Sequence, residues 1–313
     1  MKYLGLCLNN RWTFEEHFAQ LAPRIGGVAA SLSRLLPNLE GPDGRVCRLY
    51  VNMVGSVALY GAPIWAGCSS KSKKIRDLLR RVHRPVVLRA ARAYRTVSYA
   101  ATTLLAGAPL ELLALGQEYT YLRVRKLRGR GLVVEDRSRE ALRRDAARLV
   151  LVKWRRLLSA PLYENQRVVR TILPIFDRWA NRGWGQLTFR VVQVLTGHGC
   201  FGRYLHRIGK EASPKCHHCG DEQDSAQHTL EACVAWSERR RKLVNIVGRD
   251  LSLRSVVGAM LQREEAWTAM AAFCEAVMRD KEMAEYARRR LPLPPLPPRV
   301  AGGRVVLRAR RRL

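Results

Sequence analysis

The stretch CHHCGDEQDSAQHTLEAC occupies residues 216–233 and interrupts an otherwise helical pattern. Three cysteines and one histidine in it follow the spacing C-x2-C-x8-H-x4-C, and they are Cys216, Cys219, His228 and Cys233. Zinc prefers four thiolate or imidazole ligands in a tetrahedron, and a C-x2-C turn presents two thiolates to one ion. Because protein fills all four positions, the pattern predicts a structural zinc knuckle rather than a catalytic site.

The alternative to a metal site is a chance grouping of buried cysteines and surface histidines. The spacing and the local polarity favour the metal. His217 and His218 lie inside the turn, where neighbouring side chains point away from the ion, so ligation by either is not expected. For the nearby His198 and Cys200 we expect a structural role, with the flanking glycines forming a turn and His198 hydrogen-bonding to the backbone.

The chain is strongly basic over most of its 313 residues. It carries 56 Lys and Arg residues against 26 Asp and Glu, which gives a net charge of +30 at pH 7. Such a field attracts polyanions, because neutralised phosphates release their counterions. Arginine outnumbers lysine, which favours forked hydrogen bonds to phosphate, although GC-rich coding produces the same bias without selection for binding.

No signal-peptide pattern and no 18-residue apolar run occur in the sequence. We therefore expect a soluble intracellular protein with no membrane partner. The eight cysteines are then expected to be thiols or metal ligands rather than disulfides. The four that stand alone in apolar patterns are expected to be buried: Cys7, Cys47, Cys68 and Cys274.

Helical periodicity dominates the rest of the chain, so the sequence predicts a mainly α fold. The alternation over residues 2–8 predicts a strand, and Asn9-Asn10 is a turn signal that would close a β-hairpin. Helices are expected over 14–36, from 46 to the break at 61–63, over about 70–92, from Pro109, after Ser138 and around 267–278. The Pro/Arg-rich end at 292–313 cannot bury a core and is predicted to be disordered.

Three basic regions are candidates for nucleic-acid contact: the helix at 71–92, the stretch 119–130, and the zinc knuckle with its neighbouring cations. Basic residues are interleaved with tyrosines at 89–99 and again at 119–130. Cations would hold phosphates while rings stack on bases; the alternative is a solvated helix face with tyrosines at its margin. The candidate residues are Lys73, Lys74, Arg80, Arg81, Arg84, Arg92, Tyr94, Arg95, Tyr121, Arg123, Arg125, Lys126, Arg203, Arg207 and Lys210.

No complete active site is visible in the sequence. Two-metal phosphoryl transfer needs clustered carboxylates, yet the aspartates are scattered singly, with no Asp-Asp pair on a turn after a strand. The patterns G-x-x-x-x-G-K-[ST], G-x-S-x-G and H-E-x-x-H are also missing. We therefore predict no catalytic residues in this chain.

An ordered series of motifs resembles the reverse transcriptases of non-LTR (LINE-type) retrotransposons. Residues 2–5 with Phe14 and His17 resemble the segment just after the catalytic aspartates of that family. The stretches 59–65, 92–98 and 105–107 resemble the helical region that follows the palm. Residues 193–199, which lead into the zinc motif, resemble the C-terminal portion of the Pol polyprotein of type-1 retrotransposable elements that insert in ribosomal DNA. The series covers residues 1 to about 290.

The resemblance implies a parent polyprotein whose N-terminal endonuclease nicks target DNA and whose RNA-directed DNA polymerase copies element RNA from the nick. It implies that this chain is a C-terminal fragment that begins after the endonuclease and the polymerase aspartates. Mg²⁺ would belong to that absent polymerase domain, and the fragment alone is expected to be inactive. The expected location is the nucleus, at the site of integration.

The implied fold is a thumb-like helical bundle with a vestigial N-terminal β-hairpin and a small zinc knuckle. Its segments would be the end of the palm at 1–20, a thumb-like region at 21–130, a helical connector at 131–195, the CCHC knuckle at 196–240, C-terminal helices at 241–291 and the tail at 292–313. Such a chain would grip template RNA, an RNA–DNA duplex or target DNA during target-primed reverse transcription. The rival hypothesis is a structural or assembly module that zinc staples and that binds protein.

Overall fold

The computed structural model describes residues 1–37, 39 and 41–290, and these residues are mostly helical. The mainly α fold predicted from the periodicity is therefore confirmed. The segment 292–313, which was predicted to be disordered, lies outside the described residues. In the described part no single helix is long and apolar enough to cross a membrane. Two bent helix pairs together reach the length and apolar composition of a membrane span, and length and composition are the only support for such a span.

The N-terminal β-hairpin is shorter than the sequence pattern suggested, and its loop lies elsewhere. Strand β1 (Lys2–Tyr3) pairs antiparallel with β2 (Leu6–Cys7). The loop between them is Leu4–Gly5, whose φ angles of 45° and 79° suit a two-residue hairpin turn. The expected closure at Asn9-Asn10 is wrong, because the turn that begins there leads into the first helix instead.

Four helices and the hairpin surround the first of two hydrophobic cores. Asp43 caps the second helix by accepting two backbone N–H bonds, and Ser72 caps the fourth. Phe18 and Trp65 meet edge-to-face at the centre, with ring centroids 4.9 Å apart. The helices are α1 (Glu15–Ser33), α2 (Gly44–Ala58), α3 (Ala62–Lys71) and α4 (Lys73–Ala90).

Helix α5 (Tyr99–Ala106) is followed by two long helices, α6 (Leu110–Arg128) and α7 (Asp136–Leu158), which pack antiparallel. We call this pair, residues 110–158, the helical arm. Its base is buried, since Ala114 lies in the first core and Trp154 in the second. Residues 128–133, at its tip, are exposed.

The remaining helices surround the second core, with the last and longest helix running through it. The buried face of that helix includes Met270, Cys274, Val277 and Met278. The helices are α8 (Pro161–Glu164), α9 (Arg167–Ile172), α10 (Phe176–Ala180), α11 (Phe189–Thr196), α12 (Gly202–Arg207), α13 (Ala226–Glu231), α14 (Ser237–Val247), α15 (Leu253–Met260) and α16 (Glu264–Arg290). Single 3₁₀ turns lie at Leu173–Ile175 and Val234–Trp236.

The segment that carries the zinc motif is part of this second core rather than a separate module beside it. Cys216, Leu230, Cys233 and Trp236 are all buried within the same apolar cluster as α16. Apolar contact therefore ties the motif to the rest of the protein, with or without a bound metal ion. The segment boundaries expected from the sequence stay predictions.

Replacing Gly185 with alanine should destabilise the protein by about 3 kcal/mol, from left-handed backbone strain and from overpacking. Gly185 has a φ of 94°, and a Cβ there would lie 2.6 Å from the ring of the buried Trp267. The matched control is Gly131→Ala, where φ is 76° and nothing lies within 4 Å, so only strain of about 1 kcal/mol is expected. Urea unfolding of both variants measures the difference, and equal losses would contradict the role given to Trp267.

Candidate metal centre and basic surfaces

The four residues of the predicted zinc motif come together at one point. Cys216 and Cys219 lie on a tight turn, and Cys233 follows the end of α13. His228 lies in α13, whose first turn is fixed by Ser225, because the Ser225 Oγ accepts the His228 N–H at 3.0 Å. The ligand atoms of the four residues all lie within 4.8 Å of one another.

The closest pairs of ligand atoms have the separations expected around one tetrahedral ion. Cys216 Sγ lies 3.8 Å from Cys233 Sγ, and Cys219 Sγ lies 3.3 Å from His228 Nε2. In a tetrahedral site, zinc–sulfur bonds of about 2.3 Å and a zinc–nitrogen bond of about 2.0 Å place two sulfurs about 3.8 Å apart. They place a sulfur and the imidazole nitrogen about 3.5 Å apart. The cluster could therefore hold a metal ion with little rearrangement.

Groups around the cluster orient these ligands. Backbone N–H groups of the turn hydrogen-bond to the Cys216 sulfur, and the N–H of Ala235 hydrogen-bonds to the Cys233 sulfur. The Nδ1 of His228 lies 3.8 Å from Asp221 Oδ2, so the second ring nitrogen faces a carboxylate. At 3.8 Å this is an electrostatic contact rather than a hydrogen bond, and the nearby carboxylate favours the tautomer that carries its proton on Nδ1.

Burial keeps two of the cysteine side chains in the neutral thiol form when no ion is bound. Burial raises the pKa of the Cys216 thiol, and it raises the pKa of the Cys233 thiol to about 12. In the absence of a metal ion, Cys233 would therefore stay protonated at neutral pH. A divalent cation stabilises the thiolate form outright, and uptake of the ion would release protons.

The other histidines and Cys200 have partners of their own. His217 Nε2 lies 3.4 Å from Glu211 Oε2, while the ring of His218 packs on Trp236 with centroids 4.8 Å apart. The Nδ1 of His198 lies 2.9 Å from the carbonyl oxygen of Thr196. The Cys200 thiol donates to Glu285 at 2.8 Å.

A buried ion pair that sequence reasoning missed lies beside the metal cluster. Lys281 Nζ lies 2.9 and 2.8 Å from the two carboxylate oxygens of Asp224, and their side chains are 1% and 3% exposed. Asp224 also accepts the N–H of Gly202 at 2.8 Å. One signal was present in the sequence, since Lys281 falls three residues after Met278 on the apolar face of α16. The pair joins the segment between the metal ligands to the last helix.

No second metal site competes with this cluster in the described part of the chain. Among those residues, the cysteine–histidine group is the one set of three or more metal-capable side chains close enough to share an ion. Acidic side chains instead pair with arginines, as Glu275 and Glu282 do with Arg190. The absence of catalytic residues from this chain stays a prediction.

The basic helix α4 divides into residues that contact solvent and residues that hold the fold. Lys73 and Arg81 are exposed, and Lys74 is exposed while pairing with Glu15 at 2.7 Å. Arg80, by contrast, is half-buried and donates to Glu111 at 2.8 Å. Arg84 donates at 2.7 Å to the carbonyls of residues 95 and 97. These two arginines therefore have structural partners that the sequence pattern did not reveal.

The stretch after α4 shows the same division. Arg92 donates to the carbonyl of Pro42, whereas Arg95 is exposed. Tyr94 packs against Phe189 and Tyr204, with centroids 5.2 and 6.2 Å away. The ring of Tyr94 is thus already packed against other rings of the protein.

On the helical arm the predicted basic and aromatic residues lie in the open. Tyr121 is exposed, as are Arg123, Arg125 and Lys126. The Arg123 guanidinium lies 5.2 Å from the ring centre of Tyr119. Because residues two apart on a helix point to different sides, these cations and rings surround the exposed end of α6 rather than share one face.

The third predicted region lies at α12. Arg203, Arg207 and Lys210 are all exposed there. The Arg207 guanidinium lies 5.3 Å from the ring centre of Tyr204. The structure leaves all three cations accessible to a ligand.

Curated proteins of one kind of mobile element are similar to this chain over most of its length. A 115 kDa protein of the type-1 retrotransposable element R1DM from Drosophila melanogaster is 26% identical over 88% of this chain. The Pol polyprotein from element R1 4 of Nasonia vitripennis is 24% identical over 92% of it. The Pol polyprotein from element R1 of Bradysia coprophila is 26% identical over 77% of it.

The matched region is only part of most of these relatives. It spans 27% of the Drosophila protein and 24% of the Bradysia protein, but 74% of the Nasonia protein. No protein-family model matches the chain. No solved structure matches it either.

Proposed function

We propose that this chain, which resembles the Pol polyproteins of the R1 type-1 retrotransposable elements, is a nucleic-acid-binding part of such a polyprotein. It would grip template RNA, an RNA–DNA duplex or target DNA during target-primed reverse transcription. The polymerase and endonuclease sites would lie elsewhere in the polyprotein. Such a part would act in the nucleus, where the element inserts.

The observation that carries this proposal is the charge of the helical arm. Between residues 123 and 156 the arm has thirteen Lys and Arg residues against four Asp and Glu. Most of these cations are exposed; three pair with acidic residues of the arm at 3.6–3.8 Å, and Arg155 pairs with Asp177 at 2.9 Å, all at the surface. Surface pairs of that kind are weak, so they leave the positive field of the arm largely intact.

We also propose that the metal ion is zinc with a structural role. Three thiolates and one imidazole in a tetrahedral arrangement are the donor set that zinc prefers. All four positions are supplied by protein, which leaves none for a substrate or an activated water. Zinc would thus hold together residues 216–233, which lie between α12 and α14 and pack against α16.

A second candidate is a structural module that binds protein rather than nucleic acid. The burial of Cys216 and Cys233 in the second core favours this candidate, since an ion bound there would stabilise the fold itself. The two candidates differ in a measurable way. Binding of RNA or DNA that weakens steeply with salt supports the first, and no such binding supports the second.

Replacing Arg123, Arg125 and Lys126 with glutamine should weaken binding of single-stranded RNA and flatten its salt dependence. Three phosphate contacts contribute about 2 to the slope of log K against log salt. Fluorescence anisotropy with a labelled RNA at several salt concentrations measures both quantities.

The matched control replaces Arg241, Lys242 and Arg249, three exposed cations, with glutamine. It removes the same charge and should change the slope by less than about 0.5. Equal effects of the two triple variants would show that the arm has no special part in binding.

A further inference from the structure

We propose that a groove between the two cores binds the sugar-phosphate backbone of single-stranded nucleic acid, a site that deepens the proposed function and rests on it. One wall of this groove is α2, and the other is the segment 180–187 after α10. Its volume is about 740 Å³. A groove of that size matches a cleft for a small ligand, and so it suits a few nucleotides of one strand rather than a duplex.

Charge is the first argument for a polyanionic occupant. Four arginines line the groove (Arg45, Arg48, Arg92 and Arg182), and no Asp or Glu lines it among the residues that the structure describes. Arg190, by contrast, lies between two carboxylates, those of Glu275 and Glu282. Like charges gathered in one concave site raise the local potential and attract anions.

Two of these arginines are held in place before any ligand binds. Arg182 donates to the carbonyl of Trp179 at 2.7 Å and lies 4.1 Å from the centre of that ring. Arg92 donates to the carbonyl of Pro42. Carbonyl partners leave the positive charge uncompensated, and a guanidinium retains further N–H donors for phosphate oxygens.

A third arginine, Arg48, lies close enough to Arg182 to affect its pKa. Burial, and then the neighbouring Arg48, lower the pKa of Arg182 to about 10. Arg182 still carries its charge at neutral pH. The repulsion that it feels from Arg48 would be relieved by a phosphate between them.

The rim supplies a ring for stacking. Trp184 is 40% exposed, and its indole N–H donates to the carbonyl of Met260 at 3.2 Å, which anchors the ring. An anchored aromatic beside a basic groove is a recurring arrangement for binding single strands without sequence preference. Asn52 and Gln186 add neutral donors and acceptors to the lining.

The test uses the full chain and a labelled oligouridylate in anisotropy titrations over a range of salt. The variant Arg45→Gln/Arg48→Gln removes two exposed cations of α2 and should not disturb the core. Two lost phosphate contacts should weaken binding about 25-fold at 0.1 M salt and lower the slope by about 1.4. The control Arg241→Gln/Lys242→Gln removes the same charge from α14 and should change affinity less than about threefold.

A second variant tests whether Trp184 stacks on a base. Trp184→Ala should weaken binding roughly fivefold or more, while Trp184→Phe, which keeps a stacking ring, should stay near the wild type. If the wild type binds RNA and neither Arg45→Gln/Arg48→Gln nor Trp184→Ala changes the affinity, the groove is not the binding site, but the proposed function still stands. Failure of the wild type to bind RNA or DNA would overturn both.

Discussion

A Cys219→Ser protein should lose its metal ion and unfold well below the temperature at which the wild type unfolds. Structural zinc contributes about 10–16 kcal/mol in zinc-finger peptides, while a whole domain has a net stability of about 5–15 kcal/mol. Because Cys216 and Cys233 lie in the second core, the loss should extend beyond the knuckle to the helices around α16. Thermal unfolding followed by circular dichroism, with zinc content measured on the same samples, checks both effects.

The control for this experiment is Cys68→Ser, a half-buried cysteine outside the cluster. It should retain one zinc per chain and lose no more than about 1.5 kcal/mol. A strong chelator should lower the melting temperature of the wild type and of this control alike. If the Cys219→Ser protein kept its zinc and its melting temperature, the cluster would not be a metal site.

The second large effect is expected from the buried ion pair. Replacing Lys281 with methionine should cost about 3–5 kcal/mol, because it leaves the Asp224 carboxylate buried without a counter-charge. The carboxylate is almost inaccessible to water, so solvent cannot replace the lost ammonium group. Chemical denaturation of the metal-loaded protein measures the loss.

Two comparisons separate this effect from simple damage to packing. The double variant Lys281→Met/Asp224→Asn should recover much of the stability, since both charges are then gone and the amide oxygen can still accept from Gly202. Arg239→Met, which breaks a partly exposed pair with Asp280, should cost no more than about 1 kcal/mol. If the double variant is no more stable than Lys281→Met, the unpaired charge of Asp224 is not the cause of the stability loss.

The residues of the metal cluster could be named from the sequence because their chemistry is local. Cys216 and Cys219 share one turn, and a spacing of eight and then four residues brings His228 and Cys233 back to it through a single short helix. The mainly α fold could also be predicted from the sequence, since helical periodicity runs through most of the chain. The chain's likeness to R1 Pol polyproteins was also visible in its ordered motifs and is confirmed by the similar proteins.

The parts that the sequence did not reveal depend on contacts between distant segments. Asp224 and Lys281 are 57 residues apart, and their pairing exists only once α16 packs beside the knuckle. Arg80 looks like any cation of a basic helix until Glu111, 31 residues away, is brought beside it. The groove likewise has walls from two distant segments, α2 and residues 180–187, so no local pattern could have indicated it.

The most direct test of the account is the zinc K-edge X-ray absorption spectrum of the purified chain after expression with zinc. We expect one zinc per chain in a four-coordinate shell of three sulfurs at about 2.3 Å and one nitrogen at about 2.0 Å. The His228→Ala protein should lose the nitrogen contribution. A shell with fewer than three sulfurs, a six-coordinate shell of oxygen and nitrogen, or an unchanged spectrum for that variant would contradict the site formed by Cys216, Cys219, His228 and Cys233.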